Sequence, residues 1–212
     1  MNIDYLLEVL QTQGPILLRQ HLFLVGVSLF FAIVIALPIG ILVTRPPFNR
    51  RIGSILSFLN TAQGIPSLAV VAIFLPLMGI GVRPAIFALT LYALLPIARN
   101  TVAAIYSLDP DILEAARGMG MSKNQILTKV ELPLSLPIIM AGIQTSAILT
   151  VGTATIAHLI GGGGLGRLIF SGISNNRPEF VLTGSLITAL IAITLDQSLG
   201  LLQRKLSARY TS

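Results

Sequence analysis

The chain has 212 residues, of which 54% are hydrophobic and only 10% are charged, whereas soluble domains carry roughly 25% charged residues. It contains no cysteine and two histidines, which argues against disulfides, thiolate chemistry and cysteine-ligated metals. We expect neither a soluble enzyme nor a metal site.

Apolar runs long enough to cross a membrane dominate the chain. A bilayer core of about 30 Å needs about 20 helical residues, and three runs of that length contain no Asp, Glu, Lys or Arg. Two weaker runs reach spanning length only by passing Arg99 and Asp196. The sequence therefore predicts an all-α transmembrane fold with five spans. These spans are residues 22–43, 52–78, 84–104, 134–160 and 180–202.

Positive charge predicts the orientation, because lysine and arginine are retained on the cytoplasmic side of a membrane. With the N-terminus outside, ten of the fourteen basic residues lie inside. We therefore expect residues 1–20 to form an extracytoplasmic segment, residues 21–203 a transmembrane domain and residues 204–212 a cytoplasmic tail. The net charge of +6 then reflects topology, and we expect no nucleic-acid partner.

Polar side chains within the predicted spans have two interpretations. They can hydrogen-bond between helices, or they can line a water-filled path. Gln63, Gln144 and Thr145 are the candidates for a translocation path. Pro66 beside Gly64 is expected to loosen the second span, which suits either a gate or a plain kink.

Arg99 and Asp196 are the charged residues inside the two weaker spans. Each lies about sixteen residues from the predicted outer end of its span, hence at a similar depth. We expect them either to form a structural ion pair or to extend separately to the cytoplasmic interface.

The polar segment 109–133, between the third and fourth spans, is predicted to form two short helices. Asp109 is an N-cap residue and Pro110 fits the first helical position. Gly118 and Gly120 should end this helix. A second helix is expected to open at a capping box of Ser122 and Gln125 and to close at Pro133. The pair either packs against the membrane ends or docks onto another protein.

This segment resembles the EAA loop of type I ABC importer permeases. The pattern is Glu114-Ala115-Ala116, then Gly120, then Val130 and Leu132-Pro133. The segments "QGIPSLA", "LYALLPIARNT", "VELPLSLPIIMAGIQT" and "IGGGGLGRLIFSGI" extend the resemblance to permeases of glycine betaine, carnitine and choline importers. Gly64, where threonine is expected, and Gly162, where alanine is common, are small departures.

The resemblance implies a bacterial or archaeal cytoplasmic membrane protein with separate partners. These are a cytoplasmic ATPase dimer that binds ATP and Mg, a second permease copy or paralogue, an extracytoplasmic binding protein and membrane lipid. Segment 109–133 would be the coupling loop. Glu114, Ala115, Ala116 and Gly120 would contact the ATPase, and Leu132 and Pro133 would fix the loop against the fourth span. By the same resemblance the chain itself would bind no cofactor and would be no enzyme. It would not hydrolyse ATP, since it has no G-x-x-x-x-G-K-[ST] loop.

The stretch "IGGGGLG" matches the letters G-x-G-x-x-G but not the context of a dinucleotide site. Such a site follows a strand and opens a helix in a βαβ unit, whereas this stretch follows a hydrophobic span. We expect close, flexible backbone packing at the outer mouth of the path. The candidate outer gate comprises Gly161, Gly162, Gly163, Gly164 and Gly166.

Two alternatives to an osmoprotectant permease stay open. A type I permease for methionine or a similar solute would differ only in cargo. An ion-coupled secondary transporter would need no ATPase, although its usual inverted repeat does not fit five spans. Quaternary ammonium sites use aromatic cages, and the absence of tryptophan predicts that the high-affinity site lies in a separate binding protein.

Overall fold

The computed structural model describes residues 3–207, and their side chains except those of Ile3, Asp4, Tyr5, Gln63, Val71 and Ser207. Throughout this range the regular elements are helical. The helices are α1 Ile3–Thr12, α2 Gly14–Val43, α3 Ile52–Gln63, α4 Ser67–Met78, α5 Val82–Tyr106, α6 Pro110–Gly118, α7 Lys123–Ile126, α8 Leu132–Ile156, α9 Gly166–Ser174 and α10 Pro178–Ser207. Short 3-10 helices cover Phe48–Arg51 and Ala157–Ile160, and a π-helical turn covers Leu127–Glu131.

Helix α5 lies at the centre of the bundle, between α2 and α8. Glycines on both neighbours allow the close approach. A Cβ added to Gly40 of α2 would lie 2.7 Å from Cβ of Thr101, and one added to Gly142 of α8 would lie 2.6 Å from Cβ of Asn100. Because lipid offers no hydrophobic driving force between helices, helix association in a membrane depends on van der Waals packing and interhelical hydrogen bonds, and small residues allow that close packing.

The bundle has two ends, which fix the positions of the functional segments. The loop end carries residues 107–122 and the glycine end carries residues 161–165. Helices α2, α5 and α10 run from the glycine end to the loop end, and α8 runs back. At the glycine end the Gly81 amide donates to the Ile160 carbonyl at 2.7 Å. Near the loop end the Gln203 side chain donates to the Pro137 carbonyl at 2.8 Å, which ties α10 to α8.

Four helical units are long and apolar enough to cross a membrane, and a fifth is present if α3 and α4 count as one broken span. The predicted span at 52–78 is not one straight helix, because α3 and α4 meet at 94°. Pro66 adopts an extended conformation with ψ 131°. Since a proline ring has no N–H and disfavours helix in the preceding residue, the helix ends at Gln63 and restarts after Pro66. The kink expected at Gly64 and Pro66 is therefore a full break.

The expectation that the second loop helix closes at Pro133 was wrong. Residues Lys123–Ile160 form one continuous helical unit of 38 residues. The π-helical turn explains this continuity, because the Leu132 amide bonds to the Leu127 carbonyl, five residues back. Pro133 has no N–H to bond back along the helix, and it directly follows this wider turn, which accommodates it inside the continuous helix.

The remaining span boundaries differ at their ends. Helix α2 starts at Gly14 rather than at residue 22, with α1 preceding it, and α10 runs from Pro178 to Ser207. Helix α9, Gly166–Ser174, was not predicted. The part of the predicted tail beyond residue 207 lies outside the described residues.

Candidate coupling loop and transport path

Helix α6 begins and ends at the residues expected from its sequence. Asp109 is the N-cap, and its Oδ1 accepts a hydrogen bond from the Asp111 amide at 2.9 Å. Helix α7 opens with a complete capping box, in which Gln125 Oε1 accepts from the Ser122 amide at 2.8 Å and Ser122 Oγ accepts in return. Between the two helices Gly120 has φ +77°, a conformation that favours glycine. The predicted N-cap at Asp109, the capping box of Ser122 with Gln125 and the turn at Gly120 are confirmed.

The outward side of α6, together with Met119 immediately after it, carries an apolar patch. Ile112 is 44% exposed and Met119 is 74% exposed, and the exposed Ala115 lies between them. Residues at i, i+3 and i+7 share one side of a helix, so these three form one face. We call Ile112, Ala115 and Met119 the α6 face. Glu114 is exposed on the same helix.

Ala116 does not belong to this outward surface. It is 2% exposed, and its carbonyl accepts a hydrogen bond from the Met121 amide at 3.2 Å. The expectation that Ala116 contacts a partner is therefore not supported by its position. A small side chain is needed there because α6 and α7 fold back on each other. Gly120 is exposed and forms the turn.

The base of the loop is held by an ion pair that the sequence reasoning missed. Arg45, just after α2, donates to both carboxylate oxygens of Glu131, with Nη1 to Oε1 at 3.0 Å and a second bond from Nη2 to Oε2. Glu131 is only 5% exposed. The pKa of Arg45 is raised above its ordinary value, chiefly by the hydrogen bond to Glu131. The sequence signal for this ion pair was Glu131 itself, a single acidic residue within the segment "VELPLSLPIIMAGIQT".

Leu132 and Pro133 lie where the loop enters α8. Leu132 packs against the buried cluster formed by α2, α5 and α8, and Pro133 is half-buried beside it. Beside this junction, a cavity of about 670 Å³ with a mixed polar and apolar lining opens between the end of α2 and α7. The cavity is lined by Arg45, Asn49, Arg117, Lys123, Asn124 and several apolar residues.

The structure brings Gln144 and Asp196 together, and it does not bring Arg99 to Asp196. Gln144 Nε2 donates to Asp196 Oδ1 at 2.5 Å and to the Asp196 carbonyl at 3.1 Å. Within the described part of the chain, Arg45 and Glu131 form an ion pair within 4.0 Å, whereas Arg99 and Asp196 do not. Of the two alternatives expected for these residues, the Arg99–Asp196 ion pair is not formed, because equal depth does not bring two helix faces together. Arg99 is exposed, and its extension to the cytoplasmic interface stays a prediction.

One side of α8 is left uncovered by the other helices. Exposed along it are Ile138, Thr145, Leu149 and Gly152, followed by Leu159 of the 3-10 helix that continues α8. These positions recur every three to seven residues and so form a stripe along the helix. Thr145 lies on this stripe and Gln144 at its border, half-buried. The Gln63 side chain is outside the described set, so its predicted role stays a prediction.

The glycine segment joins α8 to α9 and packs against the start of α2. Gly161, Gly163 and Gly164 have φ between +77° and +83°, and the Gly164 amide donates to Gln20 Oε1 at 3.1 Å. A Cβ on Gly166 would clash with the Thr155 carbonyl. Each of these glycines is required by conformation or by close approach.

Neither flank of this segment is a strand, which agrees with the rejection of a dinucleotide site. The packing is close, as expected, but the segment is tied by hydrogen bonds rather than loose. Gly162 is buried, and a Cβ added there would lie 2.9 Å from Cβ of Ala85. The predicted gate role remains a prediction.

Comparison with known proteins agrees with this architecture. A family model described as binding-protein-dependent transport system inner membrane component matches residues 36–212. The chain is 40% identical over 210 residues to the glycine betaine/carnitine/choline transport system permease protein OpuCB of Bacillus subtilis (strain 168), covering 98% of this chain and 96% of that protein. It is 42% identical over 189 residues to the osmoprotectant import permease protein OsmY of Salmonella typhimurium, covering 89% and 80%.

Solved structures share the fold. The MetNI methionine ABC transporter in inward-facing conformations matches with a TM-score of 0.76 at 27% identity, covering 88% of this chain and 93% of that chain. An amino acid ABC transporter solved with histidines matches with a TM-score of 0.78 at 20% identity, covering 97% and 100%, a likeness of fold alone. The chain belongs to the family of binding-protein-dependent transport system inner membrane components.

Proposed function

We propose that this chain is the permease subunit of an ATP-driven importer for a small osmoprotectant such as glycine betaine, choline or carnitine. The observation that carries the proposal is 40% identity to a glycine betaine/carnitine/choline permease along 98% of the chain. The cargo of the structural relative, methionine, is the second candidate. It is supported at only 27% identity, and for that reason we favour the osmoprotectant.

The α6 face is proposed to be the contact with a cytoplasmic ATPase subunit. Met119 is 74% exposed at the tip of the loop, and an exposed methionine is suited to an adaptable protein contact. Glu114 adds a charge beside the apolar centre, as in interfaces that combine an apolar core with a polar rim. ATP and Mg would be bound by that ATPase dimer.

The loop end is proposed to be cytoplasmic. Arg50, Arg51, Arg117 and Lys123 lie there, in accordance with the retention of basic residues inside. The N-terminus would then be extracytoplasmic. The glycine segment would lie on the outer side, facing a separate binding protein that delivers the solute.

Movement of the loop would reach the membrane interior through two rigid connections. The first is the continuous helical unit of 38 residues, Lys123–Ile160, which at 1.5 Å per residue extends roughly 57 Å. The second is the Arg45–Glu131 pair, which links the base of the loop to α2. ATP-driven closure of the ATPase dimer would displace α6, and both connections would transmit that displacement to the path.

The uncovered stripe of α8 is the proposed lining of the translocation path, completed by a second permease copy or a paralogue. Thr145 offers an exposed hydroxyl at mid-span, and Gln144 has an amide held in place by Asp196. Polar groups exposed at that depth are expected to face water or a partner rather than lipid. The support for this proposal is that the stripe of α8 carrying Thr145 is exposed in a single chain.

The test is reconstitution of the permease with its ATPase and binding protein in proteoliposomes. We expect ATPase activity to rise with glycine betaine, choline or carnitine and not with methionine. Stimulation by methionine alone would support the second candidate. Uptake that continues without ATP and follows an ion gradient would contradict both.

A further inference from the structure

We propose that a groove between α2, α4 and α5 binds one acyl chain of an anionic phospholipid, with the lipid phosphate held by Arg83. The groove has a volume of about 380 Å³. It is lined by Val27, Phe31 and Ile35 of α2, Met78 of α4, and Arg83, Ile86, Phe87, Thr90, Leu91 and Leu94 of α5. Ligand sites of this kind commonly have volumes of roughly 300–1,000 Å³.

The length of the groove fits one leaflet of a bilayer. From Arg83 to Leu94 α5 advances eleven residues, or roughly 16 Å at 1.5 Å per residue. The hydrocarbon core is about 30 Å thick, so this distance is about half of it. Both α2 and α5 run from the glycine end inward, and the groove therefore follows the direction of an acyl chain in the leaflet at that end.

The chemistry of the lining excludes a polar solute. Apart from Arg83, the polar side chain in the groove is that of Thr90, which is buried and donates to the Ser28 carbonyl at 3.5 Å. The walls are otherwise apolar and open to the side, with Phe31 45% exposed and Phe87 40% exposed. The edge-to-face pair of Phe74 and Phe87, with ring centroids 4.8 Å apart, holds α4 against α5 beside the groove.

Arg83 supplies charge complementarity at the mouth. It is exposed, and within residues 3–207 no described carboxylate lies within 4.0 Å of it. It lies in the first turn of α5, a helix of 25 residues, where the positive helix end favours an anion and disfavours an added cation. A phosphate at this point would interact favourably with both the guanidinium and the helix end.

The test is lipid retention by the purified transporter, measured by native mass spectrometry after equilibration with equal phosphatidylglycerol and phosphatidylethanolamine. Wild type should retain phosphatidylglycerol preferentially. Arg83→Gln should retain it roughly fivefold less, since one basic residue contributes about 1 kcal/mol to binding of an anionic membrane. Leu91→Trp, which fills the groove, should lose it as well. Arg167→Gln removes an exposed arginine at the same end that does not line the groove, and should behave as wild type.

Three results would overturn the proposal. The first is that Arg83→Gln retains as much phosphatidylglycerol as wild type does. The second is that wild type retains phosphatidylethanolamine as well as it retains phosphatidylglycerol. The third uses the absence of native cysteine: if Phe31→Cys formed a disulfide between two permease copies in membranes, the groove would be a subunit interface. Absence of that cross-link, together with selective lipid loss in Arg83→Gln, supports the lipid site.

Discussion

Removing Arg45 should destabilise the permease more than neutralising its partner Glu131. The two side chains differ in solvent access, with 35% of Arg45 exposed and 6% of Glu131. Arg45→Met would leave a buried carboxylate without its cation. Removing one partner of a buried ion pair typically lowers the free energy of unfolding by about 3–5 kcal/mol. Because Arg45 is partly solvated, we discount this to about 2–3 kcal/mol. Glu131→Gln leaves an arginine that can reach water and should cost about 1 kcal/mol.

Stability of the purified transporter in detergent, measured by thermal unfolding, tests this order. Arg50→Met is the matched control, because Arg50 is exposed on the same connection, and it should change stability by less than about 0.5 kcal/mol. The double variant should be less destabilised than the sum of the single variants, as expected of residues in direct contact. The reasoning is refuted if Glu131→Gln costs more than Arg45→Met, or if the two effects are additive.

The same pair should also affect coupling. If Arg45 and Glu131 transmit movement of the loop, Arg45→Met should lower solute-stimulated ATPase activity more than basal activity. An equal loss of both activities would indicate a purely structural role.

Three further outcomes are expected. Met119→Glu places a charge on the α6 face and should lower solute-stimulated ATPase activity at least about tenfold while leaving thermal stability unchanged. The physical reason is that burying an unpaired charge at an interface costs more than about 1.4 kcal/mol. Unchanged stimulation would exclude this face as the contact. Gly166→Ala should destabilise the permease by about 1–3 kcal/mol through overpacking. The control Gly26→Ala, with nothing within 4 Å of the added Cβ, should leave stability unchanged. Equal effects of the two variants would contradict the close packing at Gly166. Gln144→Leu should lower the free energy of unfolding by about 1–3 kcal/mol, because the Asp196 carboxylate loses its donor. If Gln144→Asn, compared with Gln144→Leu, restored transport but not stability, Gln144 would have a role in the path beyond packing.

The loop helices could be predicted because their signals are local. The N-cap at Asp109 and the capping box of Ser122 with Gln125 each depend on residues two or three positions apart. Such patterns determine helix ends whatever lies elsewhere in the chain.

The helix breaks could not be predicted from the sequence, because the effect of a proline depends on the hydrogen bonding of the turn before it. Pro66 produced a full break between α3 and α4, whereas Pro133 was accommodated by a π-helical turn, although both prolines read as helix breakers. Which outcome occurs depends on whether the preceding turn can shift its hydrogen bonds, as it does at Leu132.

The pairing errors share a cause. Arg45 and Glu131 are 86 residues apart, and Gln144 and Asp196 are 52 apart. Position along a span can be estimated from sequence, whereas the rotation of each helix about its axis cannot. For this reason similar positions along their spans did not indicate whether Arg99 and Asp196 face each other. The glycine segment shows the same limit, since its contacts with Gln20 and Thr155 set its conformation.

The central claim is that this permease couples ATP hydrolysis to osmoprotectant import. The most direct measurement is uptake of labelled glycine betaine, choline and carnitine into proteoliposomes holding the permease, its ATPase and its binding protein. The account predicts uptake of at least one of these solutes that requires ATP, and its loss in Met119→Glu. Uptake of methionine but none of the three, or uptake without ATP, would contradict it.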